Sequence, residues 1–139
     1  MPAPSEFDLQ RALCIWLDGN PDKDGRPRTT PALAPGVVYW HTPNGGNRDA
    51  REGKRLKESG VKAGVHDLFF LRPTQFTEGT WGLLFGMELK EPGGKGRLSK
   101  AQEDMHPRLL RAGLAASVVV DNLADAKAWA IAHGLAIQC

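Results

Sequence analysis

Apolar residues fall at helical spacing near the front of the chain, where Leu9, Leu13, Trp16 and Leu17 follow Ser5 and Asp8. Ser5 with an acid three positions on is a capping pattern, so a helix is predicted from Ser5 to about Leu17. The next stretch, 18–35 (DGNPDKDGRPRTTPALAP), loses the period, and its Pro, Gly and Asp predict a long loop. Beyond it, short apolar runs alternate with amphipathic segments. Gly36–His41 (GVVYWH) predicts a strand, Asn47–Ser59 a basic amphipathic helix stopped by Gly60, and His66–Leu71 a second strand. Residues 72–80 connect it to a third strand over 81–90. Ser99 with Gln102 opens a helix to about Ala112, Ser117–Val120 (SVVV) reads as a buried strand, and Asn122–His133 is a last helix stopped by Gly134. Pro107 lies inside the penultimate helix and is expected to kink or split it.

The order αβαββαβα contains no internal repeat. A helix between the third strand and a buried fourth implies a parallel crossover, and a short link between the second and third implies an antiparallel pair. The expected fold is therefore α/β, a mixed sheet with helices on its faces, in a single domain spanning 1–139.

Composition changes this picture little. With 41% apolar and 24% charged residues the chain has an ordinary globular make-up. No apolar run approaches the ~20 residues of a membrane span. The opening MPAPSEFDLQ carries acids where a signal peptide needs basic residues and an apolar block, so a cytoplasmic protein is expected, without a membrane partner. Cys14 and Cys139 form neither a disulfide framework nor a thiolate metal site. Asn20, Asp22, Asp24 and Gly25 imitate the start of a calcium loop, but Pro31 stands where the bidentate Glu is needed, and the site is rejected.

Charge is more informative in its distribution than in its sum. The net value is +2, yet 41–62 and 90–111 each hold six Lys or Arg against three acids, leaving the remainder near −4. Two basic segments around an acidic remainder suit a surface that holds a polyanion; scattered cations on solvated helices give similar counts.

Strand alternation places Glu88 and Lys90 on one side of the run Trp81–Leu89, opposite Trp81, Leu83, Phe85, Met87 and Leu89. Taken alone they are an ordinary surface ion pair. Asp67, ahead of Leu-Phe-Phe, is on its own a turn residue at the mouth of a strand. Glu6 lies in helical register with Leu9 and Leu13, near the inward face; it is either a first-turn acid that suits the helix dipole or an acid in need of a partner.

Together Asp67, Glu88 and Lys90 spell D-(X)20-E-X-K. With the blocks SEFDLQRAL, HTPNGGNR, GKRLKESGVKAGVHDLFF, GMELKEPGGKGRLSKAQ and DNLADAKAW, this pattern resembles the VRR-NUC (virus-type replication-repair nuclease) branch of the PD-(D/E)XK superfamily. The blocks cover most of the chain outside 18–35. Two positions depart from the pattern: His66 stands where the superfamily has Pro, and Pro107 interrupts the helix after Gln102.

The resemblance implies a restriction-endonuclease-like core and a Mg²⁺- or Mn²⁺-dependent endodeoxyribonuclease. Asp67 and Glu88 are hard oxygen donors for such an ion, and the Leu89 carbonyl between Glu88 and Lys90 can join them. By resemblance Glu6 is the additional acid. Lys90 would orient the attacking water or meet the developing charge. Gln102 is similar to the glutamine that accompanies the E-X-K site, although its capping box explains it without catalysis. His41 either reaches phosphate or packs beside Trp40, and Asn44 suits a turn as well as a DNA contact. Arg48, Lys54 and Arg55 are expected to contact backbone phosphates without reading sequence. Members of this branch that stand alone look like dimeric resolvases, so the expected partners are branched DNA, such as a four-way junction, and a second copy of the chain. Trp16, Trp40, Trp81 and Trp129 are interface candidates, each also suited to a core. The rival classes are a flap or nicking nuclease, a binding module without catalysis, and a structural member of a repair or replication assembly. The full set of ligands and the lack of an appended domain weigh against the last two.

Overall fold

The computed structural model describes residues 4–43, 50–76, 79–93 and 96–137. Its elements follow the order α1 (Glu6–Asp18), β1 (Val38–His41), α2 (Ala50–Glu58), β2 (Leu68–Phe76), β3 (Gly79–Leu89), α3 (Lys100–Ala112), β4 (Ala116–Val120) and α4 (Leu123–Ala132). The strands form one mixed sheet in the order β1-β2-β3-β4. β1 and β2 pair antiparallel, as do β2 and β3, whereas β3 and β4 run parallel. The expected α/β architecture is thus observed, with the antiparallel pair and the parallel neighbour where the connections imply them.

Each sheet face meets a different set of helices. Leu9, Leu13 and Leu17 of α1 and Ala126 and Ala130 of α4 bury against Leu68, Phe70, Phe85, Met87, Leu89 and Val120, which form the core. Complete burial of a leucine such as Leu13 or Leu17 contributes roughly 1.5–3 kcal/mol. α3 covers the opposite face, where its His106 ring stacks on His66 and closes over the Glu88 position of β3. α2 has no buried residue.

Both capping patterns close reciprocally, with Ser5 and Asp8 at α1 and Ser99 and Gln102 at α3. Asn122 caps α4 by accepting from the Asp125 N–H at 2.8 Å. The start predicted for the basic helix, at Asn47, lies outside the described residues.

Three expectations are corrected. Residues 72–80 are not a connection: β2 and β3 continue as a hairpin to the pair Phe76↔Gly79. Pro73 is tolerated there because β1 ends its pairing at Leu71, so the missing N–H leaves no ladder bond unmade. Pro107 does not split its helix; α3 runs unbroken through it, and because Pro107 is exposed, the carbonyl it deprives of a donor faces water. The stretch 18–35 is no loose loop either. Gly19 ends α1 with φ +79°, Asp22 Oδ1 accepts from the Asp24 and Arg26 N–H groups, and Ala32 is fully buried.

The four tryptophans separate by environment. Trp16 and Trp129 pack against the core, while Trp40 and Trp81 are 42% and 68% exposed.

Candidate active site

The register of the hairpin assembles the site. Leu68 pairs with Met87, so Asp67, one residue ahead of β2, stands across from Glu88. Its Oδ2 accepts from the Leu89 N–H at 2.8 Å, which fixes the carboxylate against β3. Its backbone carbonyl accepts from the Thr42 N–H and from His41 Nδ1, both at 2.8 Å. Asp67 is therefore tied to β1 and to β3 at once. Glu88 is in the sheet interior, in register with Val119 of β4, and only 2% exposed.

α1 delivers the third acid. Oxygens of Glu6, Asp67 and Glu88 lie within 4.8 Å of one another. Two oxygens on opposite sides of a Mg²⁺ ion are about 4.2 Å apart, so a small inward movement makes a cage. The electrostatics fit the same reading. Burial, followed by the hydrogen bond and charge of Asp67, raises the Glu88 carboxyl well above the ordinary carboxylate range. Glu6 is also raised, first by partial burial and then by the charge of Asp67. Three carboxyl groups that resist ionising together are what a bound cation relieves. Glu88 Oε1 is buried without a hydrogen-bond partner, a further mark of an incomplete polar site. An all-oxygen donor set suits Mg²⁺ or Mn²⁺.

Opposite the acids stands the N-terminus of α3. Gln102 Oε1 accepts from the Ser99 N–H at 2.8 Å and from Lys90 Nζ at 2.9 Å. The two readings of Gln102 are thus not rivals: one oxygen closes the cap and holds the lysine. Glu6, Gly64, Val65, Asp67, Glu88 and Gln102 line a cleft of about 220 Å³. Gly64 lets the turn before Asp67 approach α3. Its φ is +88°, and a Cβ there would lie 2.2 Å from the Ala101 carbonyl oxygen.

The remaining candidates divide. His41 is at the rim, bound to the Asp67 carbonyl and not packed as a core residue. Leu89 meets Asp67 through its N–H. Lys54 and Arg55 are exposed on α2, and Lys54 Nζ lies 3.9 Å from Glu58. Arg51, Arg55, Leu56 and Ser59 border an open groove of about 450 Å³ on the same helix. Asn44 and Arg48 lie outside the described residues.

Sequence reasoning missed a buried polar group behind Glu88. His66 and His106 stack with ring centroids 3.8 Å apart, and His66 Nε2 is 2.5 Å from Ser117 Oγ. Burial, then the neighbouring His106, lowers the His66 pKa to about 4. The available signal was helical spacing, which puts His106 on the same face of α3 as Gln102, one turn on.

No protein-family model matches the chain. Among curated proteins, likewise, none matches. A solved structure described as a "VRR_NUC domain protein" superimposes with a TM-score of 0.57 at 22% identity, covering 92% of this chain and 86% of its own. The mixed four-stranded sheet with its flanking helices is a VRR-NUC-like fold.

Proposed function

We propose that this protein is a divalent-metal-dependent endonuclease that hydrolyses DNA phosphodiesters at the cleft of Glu6, Asp67 and Glu88. The observation that carries the reading is the convergence of three acids and a glutamine-held lysine, from four separate elements, on a VRR-NUC-like fold. The fold alone would not choose the chemistry.

A Mg²⁺ or Mn²⁺ ion held by Asp67, Glu88 and Glu6 supplies the Lewis acidity that the reaction needs. The chain supplies position. Asp67 and Glu88 stand on paired backbone, so their separation is set by the sheet, and Glu6 closes the cage from α1. Lys90, restrained by Gln102, orients the attacking water or meets charge on the phosphoryl oxygen. Arg51, Lys54 and Arg55 of α2 offer sequence-independent phosphate contacts, with Arg48 expected to extend them.

In this reading the preferred substrate is branched DNA, and two copies of the chain act on it. One site cuts one strand, and two symmetric cuts at a four-way junction call for a twofold dimer. Val38, Trp40 and Leu71 are exposed together on one face of β1 and β2, the apolar surface that best suits such contact. The test is cleavage of four-way, flap and linear DNA with Mg²⁺, Mn²⁺ or EDTA, with sedimentation of the free and bound protein. Paired symmetric nicks by a dimer are expected. A monomer that nicks flaps preferentially would keep the nuclease and remove the resolvase, and wild type that binds DNA but cuts none would leave a binding module.

A further inference from the structure

Three buried polar atoms have no hydrogen-bond partner: His66 Nδ1, Glu88 Oε1 and His106 Nε2. Two of them face each other. His106 Nε2 lies 3.8 Å from Glu88 Oε1, with the side chains 7% and 2% exposed. That gap is too long for a hydrogen bond and too short to admit a bridging water. Leaving both atoms unpaired away from solvent costs about 1–3 kcal/mol each. An approach of roughly 1 Å removes both costs.

The ring is built to be held in place. His106 lies nearly parallel to His66, 13° between planes, and His66 is anchored by Ser117 Oγ. His66 in turn rests on Gly86, where a Cβ would stand 2.7 Å from the ring. Gly86 of β3 and Ser117 of β4 are paired in register, and Glu88 follows two residues on the same face. The sheet therefore carries one continuous line, from Ser117 through both histidines to the buried side of Glu88. His66 occupies the position where the superfamily pattern has Pro, so this line belongs to the chain's own sequence.

We propose that His106 is a positioning residue for Glu88: a hydrogen bond between its Nε2 and Glu88 Oε1 fixes the carboxylate so that the other oxygen serves the ion. The proposal rests on the metal-site reading above. Groups that hold a metal-ligating side chain from behind typically change metal affinity 10–100-fold when removed. His106 touches neither the ion nor the substrate.

The test compares wild type, His106→Phe and His106→Gln by Mn²⁺ titration followed by electron paramagnetic resonance, with melting of each metal-free protein measured in parallel. Phenylalanine keeps the stack on His66 and removes the nitrogen; glutamine returns an amide near Nε2. Expected results are Mn²⁺ binding at least tenfold weaker in His106→Phe, substantial recovery in His106→Gln, and metal-free melting of His106→Phe no lower than wild type. Wild type that binds Mn²⁺ while His106→Phe binds it within twofold overturns the positioning role alone. Equal weakening in both variants overturns it too, since the nitrogen would then not matter. Wild type that binds no Mn²⁺ overturns the metal site and this role with it.

Discussion

The acid cluster and the basic helix α2 obey opposite rules. Glu88 and Asp67 are set on paired backbone, one of them buried, and each polar contact there has a specific geometry. α2 is solvent-exposed along its length, and its cations hold no fixed partner closer than the 3.9 Å pair of Lys54 and Glu58. Chemistry needs the first kind of region, because a shift of about 1 Å in a reacting group can cost a hundredfold. Attraction of a polyanion needs only the second, because charge acts over about a Debye length of 8–10 Å. The difference predicts that single substitutions act all-or-none at the cluster and in small increments on the helix.

The largest effect is expected from Asp67→Asn, which should bring cleavage below detection, with Lys90→Ala following at a loss of roughly 10²–10⁴. DNA binding, measured by gel shift at fixed salt, should stay within a few-fold of wild type for both. A parallel loss of binding would place these residues on the duplex instead.

Gly64→Ala should be next. The added Cβ meets Ala101 at a position whose φ already disfavours a side chain, so a loss of more than about 1 kcal/mol is expected, read by denaturant unfolding. Because the turn carries Asp67 onto α3, cleavage should fall beyond what the loss of folded protein explains. Wild-type stability would mean that the turn and α3 are not in close contact.

The pH dependence of stability separates the regions further. Burial lifts the Glu88 carboxyl to about 9, so the native metal-free protein holds a proton that the unfolded chain, near the ordinary value of 4.5, releases. Stability from this group is complete below the unfolded value and is lost as pH rises between the two. Metal-free wild type should therefore melt lower as pH climbs through that window, and Glu88→Gln should flatten the trend. Thermal scans across the window decide it; equal slopes in the two proteins would mean that Glu88 is not held protonated.

The smallest effects belong to α2. Removing charge at Lys54 and Arg55 should weaken binding to all DNA sequences alike and lower the salt slope by roughly 0.9 for each lost phosphate contact on duplex DNA. A changed sequence preference at constant slope would contradict phosphate contact. Lys100→Ala, which removes an exposed 3.4 Å pair with Asp104, should change stability by less than about 1 kcal/mol.

The two regions were also unequally legible in the sequence. Short-range signals carried the elements: Ser5 and Ser99 mark their helices because a cap is local chemistry, and the alternation around Glu88 follows from strand geometry. The reach of the hairpin was hidden, because Pro73 argues against a strand unless the neighbouring strand is known to stop at Leu71. Gln102 and Glu6 each had a local explanation that was sufficient by itself, and proximity to Lys90 or Asp67 is a tertiary fact. The His66–His106 stack was least visible. It requires α3 to lie across β3 at Gly86, and neither histidine is remarkable in its own segment.

The central claim is that Glu88 serves a metal-dependent cut. Its most direct test is one cleavage assay on labelled four-way DNA, with wild type and Glu88→Gln, each in Mg²⁺ and in EDTA. The variant's fold and DNA binding are verified on the same preparations. The account predicts cutting by wild type in Mg²⁺, none in EDTA, and none by Glu88→Gln in either, although the variant still binds the junction. Undiminished cutting by Glu88→Gln, or cutting by wild type that persists in EDTA, would contradict it.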